Sequence, residues 1–261
     1  MPSVYLDAYI DNATFHLERY VPHLAARSLS WREIQGMTAK YRQRGVCALL
    51  LHGTPDRFYV NMMQSAGAFL FFLSAFPDQQ KITSQAKPFF DALGGGYVGA
   101  ARAIAENSRS TWNPDLEYEE DFVYVLLLMR LLFLPDSAAE CGDLLERLEA
   151  KSTASDATRL QLCRSLVDRD TDAFNAALAA LLNERQDRVA GLIQRGTVSP
   201  EMASWLRHFA NEGLALVRLA ELLGIQTEPH YLHIPEQLRT PSPYQFDPDA
   251  WRTVEDTTAA S

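Results

Sequence analysis

The chain has 261 residues, of which 47% are hydrophobic and 22% are charged. This balance excludes a mainly disordered chain and supplies enough apolar side chains for a sizeable core. The formal net charge of −9 disfavours non-specific binding to nucleic acids and to anionic membranes, because both carry negative charge themselves.

The cysteines and the apolar segments indicate the compartment. Cys47, Cys141 and Cys163 are odd in number and lack metal-ligand spacing, which is typical of a reducing cytoplasm. The N-terminus has no apolar segment of the kind found in a signal peptide, and the longest apolar run, residues 122–134, is too short to span a membrane. We therefore expect a cytoplasmic protein that does not bind membranes.

Helix start and stop signals are clearest in the first third of the chain. Ser30 and Glu33 match a capping box, which predicts a helix that ends near His52. Asp56 is expected to cap a second helix over about Arg57–Phe76. Because that helix is apolar on most of its circumference, we expect it to lie at the centre of the fold.

Further helices follow in the second half. Asn113 and Pro114 predict the start of a helix that runs to about Phe133. Apolar stripes at helical spacing predict two more helices, one through Cys141, Leu144, Leu145 and Leu148 and one through Phe174, Ala177, Leu178, Leu181 and Leu182. Ser199-Pro200 predicts the start of a last long helix, which Gly224 ends.

The chain after Ile225 differs in composition from the helical part. It contains five prolines up to Pro248, so we expect an extended tail, residues 225–261, that packs on the body and frays over Thr253–Ser261. No alternating run reaches six residues, and no repeat has a fixed period. The prediction is one all-α domain over residues 1–261, an irregular array of antiparallel helices with a weak internal boundary near residues 108–114.

A glycine-rich segment matches a nucleotide-binding motif. Gly94 to Gly99 fit G-x-G-x-x-G, and Glu119 follows at a suitable distance. A dinucleotide site requires a strand before the glycines, whereas Lys87–Leu93 is short and interrupted by proline and aspartate. We therefore predict a turn between helices and no cofactor.

Two other groups of residues suggest chemistry at first sight. His230 and His233 lie near Glu228 and Glu236, but flanking prolines exclude a helix that would bring both imidazoles to one metal ion. Cys47 lies in an apolar segment that is typical of an inert buried thiol. We predict neither a metal site nor a catalytic residue.

Acidic residues cluster on two successive predicted helices. They are Asp115, Glu117, Glu119, Glu120 and Asp121 on the first, and Glu140, Asp143 and Glu146 on the second. Either cluster alone is typical of a solvated helix face or a complement to the helix dipole. Two acidic faces in a chain without a catalytic motif favour a basic protein partner, which such a field attracts. The aromatic tail around Tyr231 and Tyr244 is the second candidate for the interface.

The second half also resembles a known family. Residues 168–182 combine a short acidic turn, an aromatic residue and an Ala/Leu-rich helix, and residues 205–225 form a Leu/Ala-rich closing helix. Tyr231 and Ile234-Pro235 stand where a short proline-containing tail begins. These features, over about residues 113–238, resemble the immunity protein 49 family of bacterial polymorphic-toxin systems.

The resemblance implies a cytoplasmic, mostly helical and non-enzymatic protein that binds a cognate toxin domain and blocks it. It implies no catalytic residues. The interpretation is therefore an immunity protein that neutralises a toxin by stoichiometric binding, the toxin having a basic cleft. The alternatives are a helical adaptor or regulatory scaffold and, less favoured, a nucleotide-binding enzyme that uses the Gly94–Gly99 segment.

Overall fold

The computed structural model describes residues 5–133 and 138–254, and helices dominate both ranges. The helices are α1 Leu6–Ala25, α2 Trp31–His52, α3 Asp56–Ala75, α4 Lys87–Gly95, α5 Val98–Asn107, α6 Glu119–Phe133, α7 Ala138–Lys151, α8 Ala157–Asp168, α9 Thr171–Gln194, α10 Pro200–Leu206 and α11 Asn211–Leu222. Extended pairing within these ranges is limited to one isolated bridge between Tyr231 and Ile234. The prediction of an all-α fold is confirmed.

Helix α3 lies at the centre of the array. It packs against α2, α4 and α5, while α1 covers α2 and α11 covers α4. Helices α6 to α9 pack as successive neighbours and join this group through α5 and α10. In the described part of the chain, α3 is the one helix long and apolar enough to cross a membrane, and 78% of that stretch is buried within the protein.

The signals at the start and end of α2 are local, and the structure confirms them. The Ser30 backbone N–H donates to the Glu33 carboxylate at 2.8 Å, and the Glu33 N–H donates to Ser30 Oγ at 3.3 Å. Gly53 ends the helix with φ of +73°, a conformation that glycine adopts without steric cost. The predicted cap of α3 is wrong, because Asp56 makes no capping bond and instead accepts a hydrogen bond from Tyr244 Oη at 2.6 Å.

Helix α6 begins at Glu119 rather than near Asn113. The Asn113 side chain closes a short turn by accepting from the Asp115 N–H at 3.0 Å. Trp112 Nε1 then donates to the Glu117 carbonyl at 2.9 Å. This carbonyl points back to Trp112 and the Glu117 side chain is buried, so residues 113–118 form a folded loop before the helix.

The predicted last long helix is two helices, α10 and α11, separated by residues 207–210. Ser199 caps the first of them as predicted, by accepting from the Met202 N–H at 3.2 Å. The break has a tertiary cause. The Ala210 N–H donates to the carbonyl of His233, and the Arg185 guanidinium takes the carbonyls of Leu206 and Phe209, so these groups leave the helical ladder.

The tail returns across the body, packs against α3 and is hydrogen-bonded to α2 and α3. Trp251 is completely buried, and its carbonyl accepts from Tyr41 Oη at 3.0 Å. Tyr59 Oη donates to the Thr240 carbonyl at 2.6 Å, and Gln64 Nε2 donates to that of Thr253 at 2.9 Å. The sequence predicted fraying from Thr253 onward, but the hydrogen bond from Gln64 holds Thr253 in place. Residues 255–261, the rest of that prediction, lie outside the described residues.

The segment near residues 108–114, where the sequence suggests a weak boundary, is anchored to the preceding loop. Thr83 Oγ1 donates to the carbonyl of Arg109 at 2.6 Å, and Lys81 Nζ donates to that of Asn107 at 2.7 Å. These hydrogen bonds tie the connection between α5 and α6 to residues 81–83.

Candidate functional site

Most of the net negative charge lies in one stretch of the chain. Residues 115–151 contain ten acidic and three basic side chains, so they carry seven of the nine net negative charges. In the structure this stretch includes α6 and α7, which pack against each other. Ion pairs join Glu119 at the start of α6 to Arg147 near the end of α7, and Arg130 near the end of α6 to Glu140 near the start of α7. The two helices are therefore antiparallel, and we call residues 115–151 the acidic hairpin.

Several acids of the hairpin are occupied by internal ion pairs. Glu119 contacts both Arg147 at 2.6 Å and Lys151 at 3.1 Å, and only 12% of its side chain is exposed. Desolvation raises the pKa of Glu119, but the hydrogen bonds and charges of Arg147 and Lys151 together outweigh it and lower this pKa below its usual value. Asp121 pairs with Arg159 of α8 at 2.9 Å. The main effect of these ion pairs is to connect α6, α7 and α8 to one another.

Glu117 does not belong to the accessible surface, which corrects its predicted role in partner binding. Its side chain is 1% exposed, and its Oε1 lies 2.6 Å from Arg109 Nη2. Its Oε2 accepts the backbone N–H of Ser84 at 2.7 Å. Glu117 therefore fixes the α5–α6 connection from inside the protein.

Four acids of the hairpin make no ion pair with any described residue: Asp115, Glu120, Asp143 and Glu146. Glu120 is partly exposed and the other three are exposed. Tyr118 stands among the first group of acids with 76% of its surface accessible, more than any other large hydrophobic residue that the structure describes. Tyr118 was not predicted as a site residue, although an aromatic residue flanked by acids is visible in the sequence. The accessible part of the hairpin thus combines unpaired carboxylates with one exposed aromatic ring.

The two tail tyrosines are partly buried and hold the tail in place. Tyr231 Oη accepts from the Glu228 N–H at 2.9 Å and bonds to the Asn175 side chain, while Arg239 lies over its ring. Tyr244 Oη donates to Asp56. Because both hydroxyl groups are hydrogen-bonded within the protein, the tail offers a partner fewer free polar groups than the acidic hairpin does.

The glycine-rich segment comprises the end of α4, a tight turn at Gly96 and Tyr97, and the start of α5. Helix α4 precedes it where a dinucleotide site requires a strand, and α5 begins at Val98. Gly96 has φ of +84°, and a Cβ there would lie 2.8 Å from Pro241 Cβ of the tail. The Ser242 N–H also donates to the Gly95 carbonyl at 3.2 Å. The tail therefore covers the place that a pyrophosphate would need.

The structure gives His230, His233 and Cys47 surroundings that do not form a metal site or a reactive thiol among the described residues. His230 is exposed, whereas His233 has φ of +59° and serves the fold through its backbone carbonyl. Among the described residues, no three His, Cys, Asp or Glu side chains are placed to hold a metal ion. Burial raises the pKa of the Cys47 thiol to about 12, so it stays protonated at neutral pH and is a poor nucleophile.

Comparison of the chain with family models, with curated proteins and with solved structures gives no match. The resemblance to the immunity protein 49 family therefore stays a prediction.

Proposed function

We propose that this chain is a cytoplasmic immunity protein that binds a cognate bacterial toxin domain with one-to-one stoichiometry and blocks it, without turnover of its own. The observation that carries the proposal is the acidic hairpin. It concentrates seven of the nine net negative charges in 37 residues and exposes Tyr118 among unpaired carboxylates.

The chemistry of the partner follows from this surface. Toxins that act on nucleic acids or nucleotides have basic clefts, because their substrates are anions. A surface of the opposite sign raises the rate of encounter with such a cleft and discourages other acidic partners. An exposed tyrosine can serve as an anchor at the centre of the contact, since aromatic residues supply a large part of the binding energy at protein interfaces.

The internal ion pairs support the same proposal. Exposed pairs contribute little to stability one by one, but here Glu119, Asp121 and Glu140 are bonded to cations of neighbouring helices. Such cross-links hold the helices in place before a partner arrives, and this preorganisation reduces the ordering cost of association. The unpaired acids then remain available to the partner.

A helical adaptor is the second candidate, and one observation favours it. A groove of about 790 Å³ runs between α1, the end of α9 and α10. Its lining includes the apolar side chains of Leu6, Leu50, Ile193, Val198 and Ala203. An amphipathic helix of another protein can lay its apolar face in a groove of this kind.

The first test is to identify the protein encoded by the gene next to that of this chain. The proposal expects a large secreted protein there, with a variable C-terminal toxin domain. Expression of that domain should stop bacterial growth, and co-expression of this chain should restore it. The two purified proteins should also form a one-to-one complex, which light scattering after gel filtration can measure.

A charge reversal then tests the surface. The variant Asp115→Lys, Asp143→Lys, Glu146→Lys alters unpaired acids only, whereas reversal of Glu119 or Asp121 would also break ion pairs of the fold. We expect association with the toxin domain to slow at least tenfold at low salt, where screening is weakest. The matched control, with the same change of charge, replaces three exposed acids of α1: Asp7→Lys, Asp11→Lys and Glu18→Lys.

Equal association rates for the two triple variants would contradict a role for the acidic hairpin. Loss of the complex in Ile193→Asp, with the hairpin variant binding normally, would favour the adaptor and its groove. A neighbouring toxin domain that this chain neither binds nor neutralises would overturn the proposed function.

A further inference from the structure

A second concave site, distinct from the apolar groove, lies where seven helices meet. Its volume is about 280 Å³, and it borders the break between α10 and α11. The charged side chains in its wall are the cations Arg42, Lys87, Arg159 and Arg185 and the carboxylates Asp121 and Glu212. The site thus contains four cationic side chains in a chain whose net charge is −9.

Two of the four cations are neutralised by carboxylates. Arg42 donates to both oxygens of Asp91 at 2.6 Å, and Asp91 is completely buried behind the cavity wall. Arg159 pairs with Asp121 and lies 4.9 Å from the centre of the Tyr124 ring. These guanidinium groups are held in fixed positions.

The other two cations of the wall, Arg185 and Lys87, are not neutralised by an ion pair of their own. Arg185 and Lys87 make no ion pair with a described residue, and the carboxylate left to balance them is Glu212, which accepts from Tyr124 Oη at 2.7 Å. With Asp91 counted against Arg42, the charges around the cavity leave an excess of one positive charge. Partial desolvation and the nearby Arg42 guanidinium lower the pKa of Lys87, as expected for an ammonium group without a bound anion.

Hydrogen-bond donors are also left over. Arg185 Nη2 donates to two backbone carbonyls at 2.6 Å each, but its Nη1 is buried and has no partner among the described residues. Trp205, another lining residue, is 8% exposed, and its Nε1 likewise has no described partner. Asn211 leaves an acceptor, Oδ1, unused while its Nδ2 donates to Asp91. Each unpartnered buried group has lost its hydrogen bonds to water without replacement, a cost that a bound ligand would remove.

We propose that this cavity binds a small oxyanion, whose phosphate or carboxylate oxygens accept from Arg185 and Lys87. A hydrogen phosphate or a hydroxycarboxylate also brings an O–H group for the unused oxygen of Asn211. The volume lies at the lower end of the range for small-molecule sites and suits an anion of a few atoms rather than a nucleotide. Asp121 and Tyr124 of the acidic hairpin line this cavity, but the proposed anion binding does not depend on the toxin contact proposed above.

Isothermal titration calorimetry at constant ionic strength tests the proposal with three probes: inorganic phosphate, citrate and, as a control for general salt effects, chloride. We expect saturable one-to-one binding of phosphate, citrate or both, and none of chloride. Phosphate without citrate identifies a phosphate site, and citrate without phosphate identifies a carboxylate site. Absence of saturable binding of both would overturn the proposal.

The substitution Lys87→Met locates the binding. Lys87 is exposed at the mouth of the cavity and makes no hydrogen bond to a described residue, so the fold should tolerate the change. Loss of one charge-assisted hydrogen bond should weaken binding about tenfold or more. Lys151→Met is the matched control, because Lys151 lies on the acidic hairpin and should leave the affinity unchanged. Equal affinities of the Lys87 and Lys151 variants would overturn the proposal even if anions bind.

Discussion

Arg109 and Glu117 form an ion pair inside the protein, with Nη2 and Oε1 2.6 Å apart and side chains only 3% and 1% exposed. The pair joins the end of the α5–α6 connection to its beginning, and Glu117 extends the link to the Ser84 backbone. Removal of one partner leaves the other charge buried without compensation, which is far more costly than loss of an exposed ion pair.

We therefore expect Arg109→Met and Glu117→Gln each to lower the free energy of unfolding by about 3–5 kcal/mol. Urea denaturation followed by circular dichroism measures this change, because urea does not screen charges. Glu120→Gln is the control: Glu120 makes no ion pair with a described residue, and its variant should differ from wild type by less than about 0.5 kcal/mol. Losses below that value in both pair variants would show that Glu117 faces solvent.

Gly96 and Gly99 of the glycine-rich segment should differ in how well the fold tolerates a side chain at each position. Gly96→Ala should destabilise the fold by about 1–3 kcal/mol, because Gly96 has φ of +84° and its new Cβ would meet Pro241 at 2.8 Å. Gly99 lies in the first turn of α5, and a Cβ added there would have no described atom within 4 Å. Gly99→Ala should therefore be neutral or stabilising by up to about 1 kcal/mol. Calorimetric melting temperatures measure both changes.

The opposite ranking would place the tail away from Gly96. Saturable binding of NAD that Gly99→Ala or Gly96→Ala abolishes would instead favour the nucleotide-binding alternative.

Local signals in the sequence were sufficient for the ends of α2. The Ser30–Glu33 capping box and the stop at Gly53 depend on residues within one helical turn, so the sequence contains all the partners. The break after Leu206 was not predictable in this way. The acceptor for the Ala210 N–H is His233, and the donor to the Phe209 carbonyl is Arg185, both more than 20 residues away along the chain.

The acidic surface was predicted in part for the same reason. Spacing shows that acids cluster, but it does not show which of them meet a cation in the folded chain. Glu119 and Asp121 find Arg147 and Arg159, which are 28 and 38 residues later. Glu117 turns inward because the connection from α5 brings Arg109 to it, and no helical pattern encodes that approach.

Leu127 of α6 and Leu214 of α11 are completely buried, at 0% exposure for both. Truncation of either to alanine should lower the free energy of unfolding by about 2–5 kcal/mol, through lost burial and a cavity. Leu222→Ala is the control, since Leu222 is 44% exposed and its loss should cost less. Urea titration of the three variants measures the difference, and a change under about 0.5 kcal/mol at both core sites would contradict the packing of α6 and α11.

Stability should fall at alkaline pH because of the buried thiols. Burial raises the pKa of Cys47 to about 12 and raises those of Cys141 and Cys163 as well. From about pH 9 to about 12 the thiol of Cys47 is deprotonated in the unfolded chain but still protonated in the folded chain. The free energy of unfolding therefore decreases with rising pH in this window, and the contribution of the Cys47 thiol to it is fully present below about pH 9.

The measurement is the free energy of unfolding from pH 8 to about 11, compared between wild type and Cys47→Ala. The variant should show a shallower decline, whatever its stability at neutral pH. In addition, Ellman's reagent at neutral pH should react slowly with the folded protein and with all three free cysteines in urea. Rapid reaction of the folded protein would show that these thiols are accessible.

Tyr118 provides the sharpest test of the proposed toxin contact. Its ring is 76% exposed and makes no hydrogen bond to a described residue, so Tyr118→Ala should leave stability almost unchanged. If the ring is an anchor in the complex, its loss should cost about 2 kcal/mol of binding, roughly a thirtyfold change in affinity. Most of this change should appear as faster dissociation, because a buried contact acts after the encounter, while the charge reversals on the hairpin act mainly on association.

Phe15→Ala on α1 is the matched control for Tyr118→Ala, since that ring is also exposed, at 56%, and lies outside the hairpin. Surface plasmon resonance with the toxin domain immobilised separates the two rate constants. Equal dissociation rates for the Tyr118 and Phe15 variants would place the anchor of the interface elsewhere.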